Sequence, residues 1–134
     1  MTIKELSQLY WLNREIEEDK RRLDELEAMT TSPKSPKYDG MPHAPGYGDA
    51  LARCVAEIVD LKAIISAKQQ QCIYERNRLE RYISSIPDSL TRQIFTYRFV
   101  NGLSWWQVAY SIGGNNTGDG VRMRVKRYLE ETSE

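Results

Sequence analysis

Ile86-Pro87-Asp88-Ser89-Leu90-Thr91-Arg92-Gln93-Ile94-Phe95-Thr96-Tyr97-Arg98-Phe99, then Asn101-Gly102-Leu103-Ser104-Trp105-Trp106-Gln107-Val108-Ala109, then Val121-Arg122-Met123-Arg124-Val125-Lys126-Arg127-Tyr128-Leu129 are the runs that decide the reading of this chain. They spell a helix, a glycine stop, a short capped helix, a Gly/Asn turn and a basic helix. Pro87 suits the entry to a first turn, and Asp88 can cap the helix that follows. Leu90, Ile94 and Tyr97, with Phe95 and Phe99, supply apolar positions at helical spacing. Gly102 can take the left-handed conformation that ends a helix. Ser104-x-x-Gln107 is a capping box that opens the next helix. Val108, Ala109 and Ile112 form its inward face, with Ala109 small where a third helix would cross. Gly113-Gly114-Asn115-Asn116 is a turn by composition, and Thr117 caps the final helix.

Three helices in this grammar make a helix-turn-helix, whose last helix enters the DNA major groove. Residues 118–129 carry Arg122, Arg124, Lys126 and Arg127 against Asp119, a local charge of +3, whereas residues 1–32 carry five Lys/Arg against eight Asp/Glu, or −3. The asymmetry assigns DNA contact to the C-terminal helix. The candidate DNA-binding residues are Ser104, Trp105, Thr117, Gly118, Asp119, Arg122, Met123, Arg124, Lys126 and Arg127. Arg122, Lys126 and Arg127 face a groove or phosphates, with a plain solvated basic face as the alternative. Arg124 either contacts a phosphate or supports packing. Asp119 either accepts from cytosine N4 or complements the helix dipole. Trp105 and Trp106 are adjacent and cannot share a face. One is expected in the core, and the other, Trp105 just after the cap, near the DNA backbone. Val121, Val125, Tyr128 and Leu129 are expected in the core. Asp88, Glu130, Glu131 and Glu134 offset the basic end, so non-specific affinity should be modest and salt-sensitive.

The same residues resemble region 4 of bacterial sigma-70-type factors. The matching positions are Ile86-Pro87, Arg98-Phe99, Asn101-Gly102-Leu103-Ser104, Val108-Ala109, Gly113, Thr117 and Val121-Arg122-Met123-Arg124-Val125, about 45 residues in all. Two departures stand out. The turn is longer by roughly two residues, and Gly118 and Gly120 fall in the first turn of the last helix, each costing about 1 kcal/mol relative to Ala. A front end frayed until DNA orders it is the expected consequence. The whole chain further resembles small phage-encoded regulators of the ArpU/RinA type, with Pro42-His43-Ala44-Pro45-Gly46-Tyr47-Gly48-Asp49 leading into a long helix. That resemblance implies control of phage late genes. The chain is expected in the cytoplasm of a bacterial host, associated with its nucleoid, with duplex DNA as partner and host RNA polymerase as a candidate one. The alternatives are a small-terminase-like DNA-packaging recognition subunit and a helical adaptor that binds no DNA.

The rest of the chain reads as two long helices. Leu9, Leu12, Ile16, Leu23 and Leu26 recur at three- and four-residue steps, interrupted by Asp19, and stop near Thr30-Thr31-Ser32-Pro33. A second helix starts near Asp49, carries Leu51, Val55, Ile58, Leu61, Ile65, Cys72, Leu79 and Ile83, and ends before Pro87. Lys62, Gln69 and Arg76 fall on the seam that these positions define. The expected fold is all-α: an N-terminal helical hairpin or coiled coil over residues 1–86, with a Pro/Gly-rich linker at 33–48, and a helix-turn-helix over 87–134. The longer helix overhangs, which invites a second copy, a dimer being favoured. Four of the five prolines sit in the linker, read as a flexible connector or as an ordered loop using Tyr38, Met41 and Tyr47.

Other function classes find little support. Lone His43 has no ligand-spaced partner, and no phosphate-binding loop or nucleophile–histidine pair is present, so the chain reads as no enzyme, without cofactor or metal. Cys54 and Cys72 lie 18 residues apart on one expected helix, about 27 Å along its axis, too far to pair within it. They read as small apolar residues in a reducing compartment. No signal peptide or membrane-spanning run is evident.

Overall fold

A computed structural model describes residues 1–31 and 47–133, with the side chain of Tyr47 left out. The described chain is all-helical, without a strand: α1 (Ile3–Leu6), α2 (Gln8–Thr31), α3 (Tyr47–Ser84), α4 (Ser89–Phe95), a π-helical turn (Thr96–Val100), α5 (Trp105–Ile112) and α6 (Gly118–Thr132). None of the described helices is long and apolar enough to cross a membrane. The expected linker, with Tyr38, Met41 and His43, lies outside the described residues except for Tyr47 and Gly48. These two open α3, two residues before the expected start at Asp49.

Contacts divide the chain into two units, Met1–Asn13 with Gln71–Glu134, and Arg14–Gln70. The division does not follow the break at Pro87, because the start of the chain and the end of α3 share a core with the C-terminal helices. Leu6, Leu79, Ile86 and Phe95 are each fully buried, together with Ile94, Val108 and Val125. Phe95 lies at the centre of an aromatic cluster, with ring centroids 5.4 Å from Phe99 and 5.5 Å from Tyr128, both edge-on. Each such side chain contributes about 1.5–3 kcal/mol by leaving water.

Local chemistry sets the helix ends in this unit. Thr2 and Glu5 form a capping box that starts α1. α4 starts where the Asp88 carboxylate accepts the Thr91 N–H at 3.1 Å. After Phe95 the backbone widens: Asn101 N–H reaches back five residues to the Thr96 carbonyl, and Leu103 N–H six residues to that of Tyr97. This extra turn was not expected from the sequence, which carries no Pro or Gly there to announce it. Gly102 follows at φ +71° and redirects the chain.

In the unit Arg14–Gln70, the stretches of α2 and α3 run in opposite directions. Asp19 pairs with Lys68, Glu27 with Lys62, and the Cys54 thiol donates to the Leu26 carbonyl. Ile16, Asp19, Leu23 and Leu26 face Cys54, Ile58, Leu61, Ile65 and Lys68 as the buried and half-buried positions. This seam differs from the expected one. Leu51 and Val55 are exposed, as is Gln69, and Lys62 keeps 60% of its side chain in solvent. Arg76, in the other unit, is exposed as well. The reason is Asp19, which does not interrupt the stripe but belongs to it. Its Oδ2 accepts from Lys68 Nζ at 2.6 Å, with both side chains about three-quarters shielded. A half-buried carboxylate needs a cation opposite it, and Lys68 lies on the seam through 54, 61 and 68 rather than the one through 55, 62 and 69. That hydrogen bond raises the Lys68 pKa above its ordinary value, against desolvation that lowers it. Both cysteines are free, and burial pushes the Cys72 thiol up.

Candidate nucleic-acid interface

α5 begins at a complete capping box. The Ser104 hydroxyl accepts the Gln107 N–H at 3.2 Å, and Gln107 Oε1 accepts the Ser104 N–H at 2.9 Å. The helix ends at Gly113 and Gly114, at φ +73° and +70°, a conformation that costs a side-chain-bearing residue about 1–2 kcal/mol. Asn116 Nδ2 donates to the Gly113 carbonyl at 2.8 Å and closes the turn. α6 then starts at Thr117, whose hydroxyl accepts the Gly120 N–H at 3.0 Å.

Gly118 has a packing reason. A Cβ there would lie 3.2 Å from Trp106 N and 3.3 Å from Trp105 C, closer than most Cβ atoms come to a neighbour, so a side chain would press the front of α6 against the α5 backbone. This contact adds a packing role to a residue that the sequence marks only by its helix cost. α6 runs regularly from Gly118. The close approach also lies at Gly118, whereas Ala109 fills the core behind it.

α6 buries Val121, Val125 and Leu129, one side of the helix at four-residue steps. The opposite side carries Asp119, Met123, Lys126, Arg127 and Glu130, with Arg122 nearer the buried edge. Asp119, Arg122, Lys126 and Arg127 are exposed, and Met123 is half-buried. Asp119 and Arg122 approach to only 4.0 Å with mostly solvated side chains, a pairing worth little. Among the described residues, no carboxylate comes within ion-pair distance of Lys126 or Arg127. Exposed Ser104 and Thr117 are occupied as caps, although their second lone pairs and hydroxyl protons remain usable.

Two expected contacts are altered by the geometry. Arg124 turns back to α4, its Nη2 donating to Asp88 Oδ2 at 2.9 Å. The arginine thereby ties α6 to the cap of α4. The Asp88 carboxyl is held below its ordinary pKa, first by the Thr91 hydroxyl, then by the Thr91 N–H and Arg124. Trp105 is the second correction. It is half-buried, edge-on to Phe99 at 6.3 Å, with the Arg98 guanidinium 4.4 Å over its ring. Arg98 Nη1 donates to the Leu103 carbonyl at 2.9 Å, and burial lowers its pKa, though a guanidinium stays charged. With Ser104 as cap, Trp105 stands three residues before Val108 and four before Ala109, hence on their face.

Trp106 is the solvent-facing tryptophan, 70% exposed, and stacks at 6.0 Å and 17° on Tyr110, which is 80% exposed. The pair borders an open groove of about 440 Å³ that continues along Gly113, Gly114, Asn116, Thr117 and Gly118. Sequence reasoning passed over Tyr110, although its spacing of four residues from Trp106 was visible. It also missed that Met1, Thr2 and Ile3 border the C-terminal half of α6, sharing a shallow groove with Lys126, Leu129, Glu130 and Ser133. Comparison with protein-family models, with curated proteins and with solved structures gave no match.

Proposed function

We propose that α4, α5 and α6 form a helix-turn-helix that binds duplex DNA sequence-specifically, with residues 117–130 inserted in the major groove, and that residues 14–70 form a coiled-coil arm. The observation that carries this reading is the division of α6. One side is anchored through Gly118, Val121, Val125 and Arg124, while the other presents Arg122, Lys126 and Arg127 to solvent without a strong carboxylate partner. A helix fixed at its front by a tight turn, with cations outward, has the form that enters a major groove. Exposed cations supply the salt-dependent phosphate attraction, and Arg122 or the half-buried Met123 the base-edge contacts. Trp105 leaves the set of DNA-facing residues, and Arg124 acts through its hold on α4.

The likeness to phage late regulators takes the proposal one step further, to transcriptional control of phage genes beside host RNA polymerase in the cytoplasm. Sheared genomic DNA from the source, retained on the purified protein at moderate salt and sequenced, tests it. Enrichment upstream of a transcription unit is expected, and loss of that enrichment in the Arg122→Glu/Lys126→Glu double variant. Equal retention by the double variant, with its helicity intact, would refute the assignment of α6.

A further inference from the structure

The two large apolar side chains that stand furthest into solvent among the described residues are neighbours. Trp106 is 70% and Tyr110 80% exposed, and their rings stack at 6.0 Å and 17°. At that exposure neither ring adds much to the core, and a solvated pair of this size points to a surface that meets another molecule. The pair shares its groove of about 440 Å³ with the turn and the start of α6. No charged side chain lines that groove. Glycine at 113, 114 and 118 leaves its backbone uncovered. Its polar groups include donors: the first N–H of α6, which no helical carbonyl takes, and the Thr117 hydroxyl proton.

What the groove adjoins identifies its occupant. Gly118, at its edge, begins a row that continues at four-residue steps through Arg122 and Lys126 along α6. α5 is the helix before α6, and the first helix of a helix-turn-helix crosses the DNA backbone while the second enters the groove. Deoxyribose and phosphate are what a duplex presents there. Its bases stay stacked on one another, and ring-on-base stacking belongs to single strands. We infer that Trp106 and Tyr110 pack on the deoxyribose of the strand bordering the major groove, with a phosphate of that strand at the start of α6. The inference rests on the DNA-binding reading of α6 and adds to it a contact made without charge. A free phosphate ion fits poorly. The groove offers it no cation, and the Asp119 carboxylate, with its side chain 95% exposed, follows directly. A strand arrives already held by Arg122 and Lys126.

Backbone contacts carry no sequence information, so a mixed-sequence duplex at low salt is the probe. Trp106→Ala, at a solvated site whose helicity circular dichroism verifies, should weaken binding by about tenfold, the effect of losing part of a covered aromatic surface. Tyr110→Ala should act in the same direction, and Trp106→Phe should keep most of the affinity. The slope of log affinity against log salt should stay that of the parent, since an uncharged contact releases no counterion. Lys126→Ala should instead lower that slope by about one. Hydroxyl-radical footprinting read by mass spectrometry should find Trp106 and Tyr110 protected by the duplex and Trp11 unchanged. Suppose Lys126→Ala acts, Trp106→Ala binds like the parent, and Trp106 stays open to oxidation in the complex. The inference is then overturned while the reading of α6 stands, as expected if a protein partner covers the rings. A slope lowered by Trp106→Ala as much as by Lys126→Ala overturns it too, because α6 itself would have moved. If the parent leaves the duplex unbound, the reading of α6 falls and the inference with it.

Discussion

Replacing Gly118 by alanine sets two effects of similar size against each other. In a free helix the change stabilises by about 1 kcal/mol, because glycine is the poorer helix former. Here the added methyl would stand 3.2 Å from Trp106 N, 3.3 Å from Trp105 C and 3.4 Å from Trp106 Cα. All three atoms are backbone, so no side-chain rotation relieves the contact. The capping box and the packing of Val108 hold that backbone in turn. Overpacking of this kind costs about 1–3 kcal/mol, so the net change is a destabilisation of up to about 2 kcal/mol. For the unit that contains α6 this means a melting temperature lower by several degrees. Tryptophan fluorescence follows that unit selectively, since Trp11, Trp105 and Trp106 all belong to it. Gly118→Ala should melt earlier than the parent and bind DNA more weakly, because α6 is pushed outward from α5. A melting temperature equal to or above the parent's would refute the argument that close approach selects glycine here.

Other perturbations test separate parts of the structure. Trp105→Ala should cost about 2 kcal/mol through the lost contact with Phe99 and Arg98, whereas Trp106→Ala should stay within about 0.5 kcal/mol in chemical denaturation. Comparable losses for both would contradict the assignment of faces. Asp88 has a lowered pKa, so its contribution is intact above the ordinary carboxylate value and disappears as pH falls through the lower folded value. An NMR titration should find that midpoint depressed, and Arg124→Leu should move it upward. Lys68 shows the opposite sign, its raised pKa making the Asp19 pair effective at neutral pH and lost only as pH rises past the ordinary lysine value. Lys68→Met alone should destabilise by about 1–2 kcal/mol, and adding Asp19→Leu should restore most of that loss in urea unfolding.

The C-terminal helices were legible because their boundaries are set by side chains acting on their own backbone. Asp88, Ser104 with Gln107, and Thr117 each cap within three residues, and Gly102 turns where only local torsion matters. The seam of the long helices was not, since Ile58, Ile65, Cys72 and Leu79 belong to both candidate registers. The choice depends on Asp19 finding Lys68, 49 residues away. The inward placement of Trp105 is legible in its phase relative to Ser104, three and four residues before Val108 and Ala109. Arg124 reaching Asp88 and Gly118 meeting α5 are properties of packed helices, and no window of neighbouring residues contains them.

Leu6 and Leu9 leave the ribosome early, yet the residues that bury them, among them Leu79, Phe95 and Val125, follow far later. About 70 residues separate Leu9 from Leu79, which at about 5–20 residues per second is a wait on the order of 4–14 s. The intervening Arg14–Gln70 unit holds its own contacts and can assemble during that interval. Synthesis therefore favours an order in which the inner unit forms first. The unit that carries α6 closes last, because Leu6 and Leu9 share its core with residues that are made later.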